Sequence, residues 1–384
     1  GYRGWKKVHE GLSPDEDVQR SFYQPYSLQE IIQSVKKEHL LVIRFSALGD
    51  VAMTVPVVYA LAQQYPDVRI TVLSRNFARP LFEDLLPNIN FMEADLKREY
   101  HGITGLNSLY RRLVAKQFTA IADLHSVLRS SYLRMRFNLD HYKVAHIDKH
   151  RKDRRRITSS SNKQLIQLPT SFQNYADVFA RLGYPVNVQF RSIFSEDGGD
   201  MNLLPESLPR PTVGQPCIGI APFAAHEGKI YPVRLMEQVV EQLLAKHPDA
   251  RIYLFGKGQR EDETFPKWCA AHPQCVYVSQ HLNNLRDELI LMSHLQVMVS
   301  MDSANMHLAS LVATPVVSVW GATHPFTGFM GWNQSPENAI QIPLECRPCS
   351  IYGQKPCLRG DYACMRNIAP EQIVNRVELI LNQY

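Results

Sequence analysis

The chain has 384 residues, of which 45% are hydrophobic and 21% charged, and its formal net charge is +5 at pH 7. That length exceeds what one core usually organises, so two domains are expected. No uninterrupted apolar run of about 18 residues offers a membrane-spanning helix, and a mild positive charge with no recognised binding motif argues against nucleic acid as the partner.

The first residues lack the basic, apolar and small-residue succession of a secretory signal, so a cytoplasmic location is expected. Residues 1–37 read as an extension, with turn signals at Gly11–Pro14 and a short helix over Leu28–Lys37. From His39 the pattern becomes regular. Leu40 to Phe45 is an apolar, β-branched run of the kind found in buried parallel strands. Ser46–Asp50 reads as a loop, followed by an apolar helix through Leu61 that Pro56 should kink or shift. Strands are expected at Arg69–Leu73, Asn90–Glu93 and Ala120–Leu124, with helices at Gly105–Lys116 and Asn174–Leu182, the last capped by Gly183.

The Pro- and Gly-rich stretch Asp197–Pro216 suits an interdomain connection. Beyond it the alternation restarts, with strands at Cys217–Ala221, Arg251–Phe255, Gln296–Ser300 and Pro315–Trp320. Helices are expected at Val233–His247, Leu285–Ser293, Asn305–Val312 and Pro370–Asn382. The fold class is α/β, with two doubly wound parallel-sheet domains at 38–205 and 217–384 joined by a linker at 206–216. Ligands bind beyond the carboxyl ends of such strands, which singles out the loops at 46–50, 222–229, 256–261 and 302–307.

In the first loop, Gly49 permits close backbone approach, and Asp50 stands near a helix start, where a carboxylate in the simplest case only caps. The amides around Ser46, Leu48 and Gly49 could meet phosphate oxygens. In the last loop, Asp302 and Ser303 are both N-cap types. A phosphate there would meet donors at Ser303, Ala304 and Asn305, with His307 one turn further on. Lys229 follows the strand at Cys217–Ala221 as a counter-ion for a diphosphate. The Gly256–Glu261 loop lacks the Gly-Lys-Ser/Thr order of a P-loop, and no Gly-x-Gly-x-x-Gly follows the first strand.

The run Lys149–Arg156 reads as a basic loop, either simply solvated or a dock for a phosphorylated acceptor or an anionic bilayer. Arg151 and Arg154 in that run, with Arg129 and Arg134 upstream, are the acceptor-binding candidates. Seven cysteines without an export signal point to a reducing compartment. Cys346 and Cys349 form a Cys-x-x-Cys pair that, with Cys357 and Cys364, admits a structural zinc. The later spacings match no common zinc pattern, and reduced thiols are the first expectation.

These segments resemble glycosyltransferase family 9, the lipopolysaccharide heptosyltransferase group, over about residues 38–384. The resemblance is carried by Arg44-Phe45-Ser46-Ala47-Leu48-Gly49-Asp50-Val51 with Pro56 and by Asp302-Ser303-Ala304-Asn305-Met306-His307-Leu308-Ala309. Trp320-Gly321-Ala322-Thr323 and the cysteine segment from Cys346 to Met365 add to it. It implies a GT-B architecture of two facing Rossmann-like domains, acceptor side first, and an inverting transfer without metal or other cofactor. Asp50 would be the general base. Lys229, Ser303, Ala304 and His307 would hold the donor diphosphate, with Asp302 orienting the loop and Glu261 standing in for an acidic residue near the nucleoside. The implied partners are a nucleotide-sugar donor, ADP-heptose first, and a phosphorylated glycolipid acceptor at the inner face of the cytoplasmic membrane. The sequence departs from the family pattern at Ala304, Ala224, Ala225 and Gly258. A nucleotide-sugar epimerase and a non-catalytic glycan- or membrane-binding scaffold are the alternative readings.

Overall fold

A computed structural model describes residues 37–384. The expected turn at Gly11–Pro14 and the helix from Leu28 lie outside the described residues. β1 (His39–Ile43) is buried along its whole length, as a strand covered on both faces must be. α1 (Leu48–Gln64), β2 (Arg69–Ser74), a short α2 (Arg79–Phe82) and β3 (Ile89–Glu93) follow. The first half continues through α3 (Gly102–Val114), β4 (Ala120–Asp123), α4 (Leu128–Leu139), β5 (Lys143–His146), α5 (Arg151–Ile157) and α6 (Ser171–Arg181).

The second half is built from β6 (Cys217–Ala221), α7 (Val233–Lys246), β7 (Arg251–Leu254), α8 (Gln259–Ala271), β8 (Cys275–Tyr277) and α9 (Leu285–Met292). β9 (Val297–Met301), α10 (Ala304–Leu311), β10 (Val316–Val319), β11 (Ala339–Ile340), α11 (Ala363–Arg366) and α12 (Pro370–Leu381) complete it. All strand pairs are parallel, in the orders β3-β2-β1-β4-β5 and β11-β10-β9-β6-β7-β8. Each is the doubly wound arrangement, whose order reverses between β1 and β4 in one sheet and between β6 and β9 in the other. Such switch points open a crevice at the strands' carboxyl ends.

α1 explains how the halves meet. Val51–Val58 and Ala60–Ala62 are all buried, because the helix is covered on one side by its own sheet and on another by α10. A helix apolar all round is one buried all round. Val51, Val55, Met306, Leu308 and Ala309 accordingly belong to one continuous core.

Three expectations need correction. The helix begins at Leu48 and runs unbroken through Pro56, so the loop before it is shorter than read and Asp50 already lies in the first turn. The basic run is no loop. Residues 151–157 form α5, with Arg154, Arg155 and Arg156 in the last turn, where cations complement the helix dipole. Its periodicity is invisible because Ile157 alone among its residues is buried. Finally, residues 259–261 open α8, a helix that the interior Pro266 hides from a sequence reading.

Candidate active site

Both switch points deliver polar residues to one place. At the first, Asp50 occupies the third position of α1, where its Oδ2 accepts from the Ala47 amide at 3.4 Å. The Arg44 guanidinium lies 3.0 Å from the same oxygen. Arg44 is buried and also donates to the Ser46 carbonyl at 2.7 Å and the Leu124 carbonyl at 3.0 Å, which ties Asp50 to the ends of β1 and β4. Burial opposes the charge on Arg44, but Tyr175 and Asp50 beside it raise its pKa above the ordinary value. From α6, the fully buried Tyr175 donates its hydroxyl to the Asp50 carbonyl at 3.2 Å.

At the second switch point, Asp302 leaves β9 and accepts from Thr323 Oγ1 at 2.9 Å, with Lys229 Nζ 3.9 Å from its Oδ2. Ser303 caps α10 but makes no side-chain bond to the first-turn amides, which stay available to an anion. His307 is buried, and its Nδ1 has no hydrogen-bond partner. Burial pushes its pKa down to about 4, against the pull of Asp302 and Asp50 and with Lys229 adding to the fall. The ring is therefore neutral at physiological pH.

Gly49 brings the two sets together. A Cβ at this position would stand 3.1 Å from His307 Cδ2 and 3.4 Å from Ala304 Cα. A side chain there would press on His307, so glycine suits the close approach of the start of α1 to the start of α10. Leu48, Gly49, Asp50, Lys229, Glu261, Asp302, Ser303, Ala304 and His307 all line one cavity of about 430 Å³, a size suited to a small-molecule site. Ser46 contributes its carbonyl to Arg44 and does not line the cavity. Glu261 folds its carboxylate over Gly256 and Gly258, both at positive φ, where an added Cβ would stand 2.9 Å and 3.0 Å from its oxygens.

The arginines are divided in their roles. Arg134 is engaged with the buried Asp123 at 3.2 Å, and Arg129 is exposed on α4. Arg154 donates to Tyr352 Oη at 2.9 Å and lies over the Phe329 ring at 5.3 Å, reaching across from the first half to the wall of the cavity. Arg151 is exposed. Lys149 donates to the Ser126 carbonyl, and its pKa is lowered by burial and then by Arg44, Arg151 and Arg154. Arg44 thus stands between Asp50, with which it pairs, and the cation of Lys149.

Sequence reasoning missed Phe223, Lys257, Phe329, Ile351 and Tyr352, which also line the cavity. Only Lys257, within a Gly-rich turn, carried any local signal. It also missed Glu288 of α9. Burial raises the Glu288 pKa to about 7, partly offset by Lys257. Elsewhere among the described residues, Glu237, Glu241 and His272 bring ligand atoms within 4.8 Å of one another, but Arg234 already pairs with both carboxylates at 3.0 Å and 3.4 Å.

Two facing doubly wound sheets with a polar cleft between their carboxyl edges define the GT-B class, and the molecule is a glycosyltransferase of that class. The profile of glycosyltransferase family 9 (heptosyltransferase) matches residues 106–357, and the chain belongs to this family. It is 22% identical to the lipopolysaccharide core heptosyltransferase OpsX of Haemophilus influenzae over 296 residues, 74% of this chain and 80% of that protein. Its fold matches a family 9 glycosyltransferase of Veillonella parvula with a TM-score of 0.65 at 17% identity, covering 91% of this chain and 99% of the other. It also matches E. coli heptosyltransferase WaaC with ADP-2-deoxy-2-fluoro heptose, with a TM-score of 0.60 at 16% identity over 90% and 99% of the two chains. Among the described residues no helix is long and apolar enough to cross a membrane.

Proposed function

We propose that this glycosyltransferase moves heptose, or a closely related sugar, from a nucleoside-diphosphate donor to a hydroxyl of a phosphorylated glycolipid, with inversion. The observation that carries the reading is the contact of Gly49 with His307 and Ala304. It brings a carboxylate and an anion cradle to the lining of one cavity. Asp50 takes the proton of the attacking acceptor hydroxyl. Its Oδ2 is held by Arg44, and Oδ1 is the oxygen assigned to the proton transfer. As the bond to the anomeric carbon breaks, charge gathers on the leaving diphosphate. Lys229, the first-turn amides of α10 and the neutral His307 stabilise it from fixed positions. Those cationic and dipolar groups suffice for the leaving group, so the transfer needs no metal. Asp302 orients Lys229, and Glu261 accepts from the ribose hydroxyls.

ADP-heptose is the favoured donor, supported by the ADP-heptose analogue held by the E. coli neighbour. The core-glycan acceptor of the Haemophilus relative's named activity supports a lipopolysaccharide-type acceptor here. Lys149 and Arg151, with the exposed Arg129, are the basic residues that would meet its phosphates at the cytoplasmic side of the membrane. In this reading the half before the linker at residues 206–216 takes the acceptor and the half after it takes the donor.

The test is to incubate the protein with ADP-heptose, with and without a heptose-deficient phosphorylated glycolipid, and to analyse products by mass and anomeric configuration. An inverted glycoside formed only with the acceptor supports the reading. An epimerised donor formed without acceptor replaces it with the epimerase, and no turnover across a donor panel replaces it with the scaffold.

A further inference from the structure

Two exposed apolar side chains stand at the edge of the first sheet that carries Asp50. In a doubly wound parallel sheet the helix after each strand starts at the carboxyl edge and ends at the amino edge. Ile103, in the first turn of α3, and Leu128, which opens α4, therefore share an edge with Asp50 in the first turn of α1. They are 67% and 88% exposed, so neither is packed against the protein. They are also neighbours. Tyr132 Oη donates to Asn107 Oδ1 at 2.7 Å between the two helices, and Leu128 and Ile103 each lie one helical turn before that pair. Leu128 closely follows Leu124, whose carbonyl holds Arg44 beside Asp50.

Exposed cations lie along the same edge. Arg98 precedes α3, Arg129 is the second residue of α4, and Arg151 and Lys152 open α5. The segment leading into α5 is tied to the segment leading into α4 by Lys149, which donates to the Ser126 carbonyl at 3.1 Å. Among the described residues none of Arg98, Arg129, Arg151 and Lys152 has an ion-pair partner. The exposed acids of these loops are engaged instead, Glu99 with Arg112 at 3.8 Å and Asp148 with the His150 amide at 2.8 Å. Arg129 also stands against the dipole of α4, which has no acidic residue in its first turn. Bare apolar side chains are unfavourable in water, and unpaired cations beside them match the interface of an anionic bilayer. There the apolar groups reach the acyl boundary while Lys and Arg meet lipid phosphates.

We infer that the carboxyl edge of the first sheet docks on an anionic lipid bilayer, with Leu128 and Ile103 inserted and Arg98, Arg129, Arg151 and Lys152 on lipid phosphates. This rests on the reading of the acceptor as a membrane glycolipid. Because the inserted tip and Asp50 share one sheet edge, the docked molecule holds the proposed base near the headgroups, and the acceptor need not leave the bilayer. Two short side chains and a few cations give reversible attachment rather than anchoring, and salt weakens it.

The test is sedimentation of the full chain with vesicles of phosphatidylcholine alone or with phosphatidylglycerol added. Binding is expected to the anionic vesicles only. Each cation near such a surface is worth about fivefold in partition, so Arg98→Ala combined with Lys152→Ala should bind about 25-fold more weakly. Leu128→Ser combined with Ile103→Ser should lose about tenfold or more. Leu139→Ser, equally bare at 67% but at the far end of α4, and Lys116→Ala, beyond the end of α3, should bind as wild type. Sedimentation needs neither donor nor acceptor, so its outcome is separate from that of the transferase reading. Transfer to a deacylated, water-soluble acceptor should keep its rate in the Leu128→Ser, Ile103→Ser variant, while transfer to acceptor in vesicles falls with binding. No binding to anionic vesicles would overturn the surface, as would equal losses in Leu139→Ser and Leu128→Ser. A dimer in solution that Leu128→Ser dissolves, with no vesicle binding, would give the tip to a second copy of the chain instead.

Discussion

Arg44 Nη2 stands 3.0 Å from Asp50 Oδ2, and this ion pair engages one oxygen of a carboxylate that lines the cavity. The guanidinium is itself held by the carbonyls of Ser46 and Leu124, so the carboxylate is aimed by two strand ends rather than by its own rotamer. Replacing Arg44 with Met removes the aim and leaves the carboxylate in place. We expect kcat to fall by about 10²-fold, the cost of a small misplacement of a reacting group, with ADP affinity unchanged. Arg44→Lys should recover part of kcat. Steady-state kinetics with calorimetry on both variants checks this, and a loss confined to KM for donor would contradict it.

Gly49→Ala tests the contact between the halves. The new methyl would press on His307 and on the backbone of Ala304, and crowding of this kind typically costs about 1–3 kcal/mol. Thermal denaturation should show the loss, with weaker ADP binding in parallel because the cradle itself is displaced. Unchanged stability together with wild-type affinity would show that the two helices are not in register as described.

Lys229 and His307 should behave as ligands of the same diphosphate. Lys229→Ala is expected to lower kcat roughly 10²-fold, as loss of one charge-stabilising donor does, and to weaken ADP. His307→Ala should weaken ADP more than adenosine, because the ring meets the diphosphate. Isothermal titration with both ligands checks the pair, and equal losses for adenosine and ADP would remove His307 from the phosphate site.

Glu288 gives a pH signature in stability. Its pKa in the folded chain is raised to about 7 from an ordinary 4.5, so the folded state holds a proton that the unfolded state has released. Stability therefore falls as pH rises through this window, and the full penalty is present above pH 7. Glu288→Gln lacks the titrating group. It should be more stable than wild type by about 1–3 kcal/mol at pH 8 and nearly equal to it at pH 4. Melting curves at both pH values decide, and a deficit at pH 8 would refute it.

The residues legible in the sequence share one property: they lie within a few positions of a buried apolar run. Asp50, Lys229 and the segment from Asp302 to His307 follow β1, β6 and β9 directly, so strand periodicity alone points to them. Arg44 sits inside the first apolar run and is buried there. Its role needed the third dimension, because nothing local shows that it reaches Leu124 across the sheet. Phe329 and Tyr352 were illegible for a different reason. They come from irregular segments placed by tertiary contacts, Tyr352 through Arg154 of the other half. In α5, the signal a helix usually gives was missing because its residues, Ile157 apart, face outward or are only partly covered.

Asp50→Asn is the most direct test of the central claim that a carboxylate on α1 deprotonates the acceptor opposite a diphosphate cradle on α10. The substitution keeps size and position while removing the base. Transfer from ADP-heptose to the glycolipid should fall by about 10²–10⁴-fold while the Kd for ADP, measured by calorimetry on the same preparation, stays within a factor of about two. Transfer at the wild-type rate would contradict the account.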